Sequence, residues 1–105
     1  MNDFDAANLD EVIHGKLRLG IMAYLSAVED GSFAELKQHT GGSDGNLSVH
    51  LRKLEEAGYV AVEKGFVGRR PHTRARLTDS GRRAWLQYLE QLRLLLEHSA
   101  GGGVG

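Results

Sequence analysis

Seven bases crowd the stretch from Lys64 to Arg83: Lys64, Arg69, Arg70, Arg74, Arg76, Arg82 and Arg83, with only Asp79 opposing them, for a local charge of +6. Guanidinium and ammonium groups gathered this closely suit phosphate, with His72 as a further donor among them. A solvated charged loop is the plainer alternative. The chain as a whole carries −1, but residues Met1 to Glu35 hold seven acids against two bases, a local −5. One side is basic and the other acidic, which local phosphate binding requires. A second group lies upstream: Ser43, Asp44, Asn46, Ser48, Val49, His50, Arg52 and Lys53. On a helix, Asn46, Ser48 and Val49, with His50 beside them, would present small hydrogen-bonding and apolar groups able to approach base edges. Arg52 and Lys53 would follow as phosphate partners. An ordinary amphipathic helix with a solvated outer face fits the same residues, and this stretch by itself leaves both readings open.

Other chemistry finds little support. There is no P-loop, no dinucleotide-type glycine turn and no recognisable Ser/His/Asp context, so no catalytic residues are expected. The histidines (His14, His39, His50, His72 and His98) are scattered, and cysteine is absent, which excludes disulfides and thiolate metal sites. Neither a metal nor a cofactor is expected.

The elements that would position the two basic groups can be read from caps and spacing. Ser32 with Glu35 three residues on is a capping box, opening a short helix with Phe33 and Leu36 on its apolar face. Gly41-Gly42 should end it near Thr40. Ser43 is the natural N-cap of a second helix, with Asp44 in its first turn. Leu47, Leu51 and Leu54 form its buried stripe, and Gly58 suits a left-handed C-terminal cap. Tyr59 to Val62 alternates as a strand. A glycine-rich basic tip follows, and a return strand reaches Thr78, forming a hairpin. Thr78 should then cap a helix running from about Asp79 to about His98, with Gly81 allowing close packing against the wing. Upstream, residues 1–8 read as a loose terminus, with Asn8 able to cap a helix from Leu9. Leu9, Val12, Ile13, Leu17, Ile21, Tyr24, Leu25 and Val28 keep a helical period, which His14-Gly15 divides into a lead and a main helix. Residues 99–105, SAGGGVG, read as a flexible tail.

Helix, turn, helix and basic hairpin together form a winged helix-turn-helix. The run from Leu47 to Trp85, LSVHLRKLEEAGYVAVEKGFVGRRPHTRARLTDSGRRAW, resembles the winged-helix transcriptional regulators of the MarR/ArsR type in their short form, which has one wing and one C-terminal dimerisation helix. The resemblance spans about Leu9 to Leu96 and rests on the order of the parts. It extends to an Arg-Leu-x-Ile signature at Arg18, Leu19 and Ile21, where Arg18 reads as a surface ion-pairing residue. It implies a mainly α domain with a small β-hairpin and a partner in double-stranded DNA. Metal-sensing members of the ArsR type carry cysteine or His/acid ligands that this sequence lacks.

The C-terminal helix points to a second partner. Trp85, Leu89, Leu92 and Leu96 are spaced as an a/d seam, and Leu86, Tyr88, Leu94 and Leu95 add apolar surface beyond it. One face should meet the domain and the other a second copy of the chain; a wholly intramolecular core is the alternative. No apolar run is long enough to span a bilayer and no leader is visible, so a cytoplasmic protein is expected. Two functional classes remain: a homodimeric DNA-binding transcriptional regulator on an inverted repeat, and a winged-helix module that docks a protein and not DNA. Glu55, Glu56 and Glu63 lean slightly towards the second. Operator and effector are not legible.

Overall fold

The computed structural model describes residues 9–104, with side chains as far as Ser99. Residues 1–8, including the expected Asn8 cap, and Gly105 lie outside the described residues. The elements run α1 (Lys16–Ser26), β1 (Gly31–Ser32), α2 (Phe33–Thr40), α3 (Asp44–Glu56), β2 (Val60–Val67), β3 (Arg70–Leu77) and α4 (Asp79–Val104). The architecture is the mainly α winged helix expected, with one strand added.

The caps form as the residue types dictate. Ser32 Oγ accepts the Glu35 N–H at 3.1 Å, and the Ser32 N–H donates to Glu35 Oε1 at 2.8 Å, closing the capping box of α2. Ser43 Oγ accepts from the Asn46 N–H at 3.2 Å and opens α3. That helix ends in a Schellman arrangement. Gly58, at φ 82°, donates to Glu55 O at 2.9 Å, and Tyr59 donates to Leu54 O at 3.0 Å. Thr78 Oγ1 accepts from the Gly81 N–H at 2.9 Å, the cap of α4.

Leu36 of α2 and Leu47, Leu51 and Leu54 of α3 close over Ile21, Met22 and Leu25 of α1. Val60 and Ala75 from the sheet, and Trp85 and Tyr88 from α4, complete one core. The antiparallel sheet has the order β1-β3-β2. Gly31 pairs with Ala75 and Ser32 with Arg74, while the long β2–β3 ladder runs from Val60↔Leu77 to Val67↔Arg70. β1 was not expected, because two residues carry no alternation to detect and Ser32 read only as the cap of α2. Pairing with β3 satisfies backbone groups that would otherwise be lost beside the core.

Three further expectations change. The segment before Gly15 is a single turn and not a lead helix. Asp10 Oδ1 accepts from the Val12 N–H at 2.8 Å, and the His14 N–H donates to Asp10 O at 2.8 Å, so Asp10 supplies the local cap. Arg18 makes no ion pair among the described residues. Its Nε donates to Val12 O at 2.6 Å, clamping that turn onto α1. Finally, α4 is helical to Val104, past the end expected near His98. Glycine costs a helix about 1 kcal/mol each, which lowers but does not forbid propagation from an established turn.

Candidate nucleic-acid interface

The outer face of α3 is the one the sequence selects. Leu47, Leu51 and Leu54 are buried, while Ser43, Asp44, Gly45, Asn46, Ser48, Val49, Arg52 and Lys53 are exposed. Val49 keeps 51% of its surface, high for a branched apolar side chain. Asp44, which would repel a phosphate, is joined to Lys37 of α2 at 2.9 Å. Lys37 escaped the sequence reading because its partner lies across a turn, where helical spacing gives no signal.

His50 takes a different place from the one expected. It is half-buried, with Nδ1 2.8 Å from Arg18 Nη1. Arginine can only donate, so Nδ1 is the acceptor and the proton sits on Nε2. Burial, followed by the charges of Arg18 and Lys53, lowers the His50 pKa. The neutral ring is tied to Arg18 of α1, which in turn holds the Val12 carbonyl, so His50 also serves to link α3 to α1.

The wing is made by β2 and β3, closed at Gly68-Arg69. Gly68 has φ 64° and no other residue of the tip has positive φ, which fits the type II′ hairpin turn with glycine first. Six wing residues were expected to face a polyanion, and they divide into two groups. Arg74 is committed to Asp30, with Nε donating to Oδ1 at 3.0 Å and Nη2 making a second contact, and Nη1 lies 3.3 Å from Nε2 of half-buried His72. The hydrogen bond from Arg74 holds the Asp30 carboxyl below its ordinary pKa. Arg76 pairs with Glu63 across the ladder at 2.9 Å. Lys64, Arg69 and Arg70, nearer the tip, have no ion-pair partner among the described residues. The distal wing is therefore the electrically open part, and Arg74 and Arg76 brace its base.

A cleft of about 210 Å³ joins the two elements. Ser48, Leu51, Arg52 and Glu55 line it from α3, and Val62, Lys64 and Thr73 from the wing. Helix face and wing thus form one continuous concave surface carrying Arg52 and Lys64 on opposite walls. No group of side chains able to hold a metal ion occurs among the described residues, and none of their helices is long and apolar enough to cross a membrane.

On α4 the expected seam divides. Trp85 (8% exposed) and Tyr88 (2%) face the domain, their rings stacked at 5.9 Å, and Tyr88 Oη lies 2.8 Å from His14 Nδ1. Leu92 is half-buried against the same core. Trp85 is therefore a core residue and not a free interface residue, since the domain-facing stripe passes through it. Leu89 and Leu96 continue the same line but are exposed, and exposed Leu86 borders them on the side away from Tyr88.

A polar helix face and a basic wing on a three-helix core define a winged helix of the nucleic-acid-binding kind. The chain belongs to the winged helix DNA-binding domain family, whose model matches residues 17–96. An uncharacterized protein of Methanocaldococcus jannaschii is 34% identical over 82 residues, covering 78% of this chain and 89% of its own length. Among solved structures, the chain is similar to a transcriptional regulator homologue from Pyrococcus horikoshii OT3, with a TM-score of 0.78 and 28% identity over 86% of this chain and 89% of that one. It shares its fold with NadR, solved in complex with 4-hydroxyphenylacetate, at a TM-score of 0.68 and 19% identity, over 90% of this chain and 66% of that one.

Proposed function

We propose that this DNA-binding chain is a cytoplasmic, homodimeric transcriptional regulator of the short MarR/ArsR type that selects an inverted repeat. The observation that carries the reading is the continuous surface of α3 and distal wing, where Arg52, Lys53, Lys64, Arg69 and Arg70 lack ion-pair partners among the described residues. Asn46, Ser48 and Val49 read base edges in a major groove, and the cations hold the flanking phosphates. One such domain touches few base pairs. Two copies joined along α4 through Leu89 and Leu96, with Leu86 beside them, double the contacts on half-sites about one helical turn apart. Leucines left in water along one stripe favour that pairing over a monomer.

The test is selection of duplexes from a random pool by the purified chain, followed by footprinting and light scattering. A protected inverted repeat bound by a dimer is expected. A chain that enriches no sequence and binds no duplex at low salt is instead a protein-docking winged helix.

A further inference from the structure

We infer that the wing tip is an apolar wedge, with Phe66 entering the minor groove beside the α3 site and unstacking one base step. This deepens the proposed DNA-binding role and rests on it. Phe66 is 74% exposed and Val67 63%, so the two largest apolar groups of the tip lie in water. Their neighbours decide the occupant. Lys64, Arg69 and Arg70 surround them without ion-pair partners among the described residues, which suits a polyanion and disfavours an apolar protein surface.

Register gives the direction. Phe66 pairs with Pro71, and Lys64 with Thr73. Residues two apart on a strand share a face, so Phe66 and Pro71 continue the face on which Val62, Lys64 and Thr73 line the cleft against α3. Pro71 has no N–H to hydrate, and it stands opposite Phe66 on the neighbouring strand. Val67 lies on the opposite face.

Reach is adequate. Six residue steps carry the wing from Val62 to its turn at Gly68, about 20 Å of extended strand, and Phe66 lies about 13 Å along it with its ring reaching beyond the backbone. The minor groove flanking a major-groove site is about half a helical turn away, roughly 17 Å. With α3 in the major groove, the tip arrives at that groove. Apolar side chains brought there unstack base steps and bend the duplex, and adjacent arginines hold the phosphates of the opened step.

The test uses the full chain and a duplex it selects from a random pool, with 2-aminopurine placed in turn at each flanking step. Brightening of one step on saturation by the wild-type chain is expected. Phe66→Ala should abolish it and weaken binding about tenfold. Phe66→Leu, which keeps an apolar wedge, should retain part of it. Arg69→Gln should weaken binding but brighten the same step once saturated. A selected duplex bound tightly with no brightened step, or brightening kept by Phe66→Ala, overturns the wedge and leaves the DNA-binding proposal standing. Failure to bind any duplex removes both. Sedimentation with phosphatidylserine vesicles is the control: association lost in Phe66→Ala, with the duplex complex unchanged, would assign the tip to a membrane and overturn the wedge.

Discussion

The division of the wing into braced and open cations sets the salt dependence of DNA binding. Each phosphate neutralised contributes about 0.9 to the slope of log affinity against log salt. In each copy of the chain Arg52, Lys53, Lys64, Arg69 and Arg70 have no ion-pair partner among the described residues, while Arg74 and Arg76 are held by Asp30 and Glu63. A dimer with all its open cations engaged would reach a slope of about −9. Arg69→Gln with Arg70→Gln removes four of these charges per dimer and should flatten the slope by about 3.6. Arg76→Gln should change it by well under half of what one open arginine gives, because its charge is already met by Glu63 at 2.9 Å. The reverse substitution adds a cation: Asp30→Asn releases Arg74, and the slope should steepen by up to about 1.8 per dimer. Fluorescence anisotropy on one selected duplex across a salt series reads all of these. Equal flattening by Arg76→Gln and Arg70→Gln would refute the braced-base account.

Gly81→Ala should destabilise the fold by about 1–3 kcal/mol in urea unfolding, because its Cβ would lie 2.0 Å from Tyr59 O. Gly45→Ala, in open space on α3, should gain up to about 1 kcal/mol in the same assay. Asn46→Ala should relax preference at one base pair by about 1–3 kcal/mol in competition binding, with non-specific affinity nearly unchanged. Leu89→Glu with Leu96→Glu should give a folded monomer by light scattering, because both side chains are exposed in the single chain. The Tyr59 hydroxyl donates to Asp10 Oδ2 at 2.6 Å and is pushed up to about 12 from 10.0. The folded state thus holds this proton more tightly than the unfolded one, so its stabilising effect is complete below pH 10 and falls away as pH approaches 12. Tyr59→Phe should remove that part of the alkaline loss in chemical denaturation at pH 9 to 12.

Much of the fold was legible because it rests on local chemistry. Ser32 with Glu35, Ser43, Gly58 and Thr78 each act within a few residues, and each ends or opens the element expected. Contacts between distant segments were not legible. Arg74 and Arg76 read as free charges until Asp30 and Glu63 came beside them, Asp30 being 44 residues away. Arg18 and His50 looked like unrelated surface groups until the packing of α1 on α3 joined them. The helix period also misplaced Trp85, since a +4, +3, +4 spacing draws one line along the helix and does not show which part of that line the domain itself covers. Phe66 gave the sequence reading no role, because exposure at a hairpin tip cannot be seen without the turn.

The joint between α3 and α4 acts as a gauge block. Thr78 N–H donates to Tyr59 O at 3.1 Å and Thr78 Oγ1 to Gly58 O at 2.6 Å, so the residues that end α3 are fastened to the residue that caps α4. Gly81 lies against the same Tyr59 carbonyl with no room for a methyl group. In a pair assembled along α4, the distance between the two α3 helices is then set by a rigid mount and not by a tether. Such a pair accepts one spacing between half-sites and rejects an operator lengthened by a single base pair, which both displaces the second site and rotates it around the duplex axis.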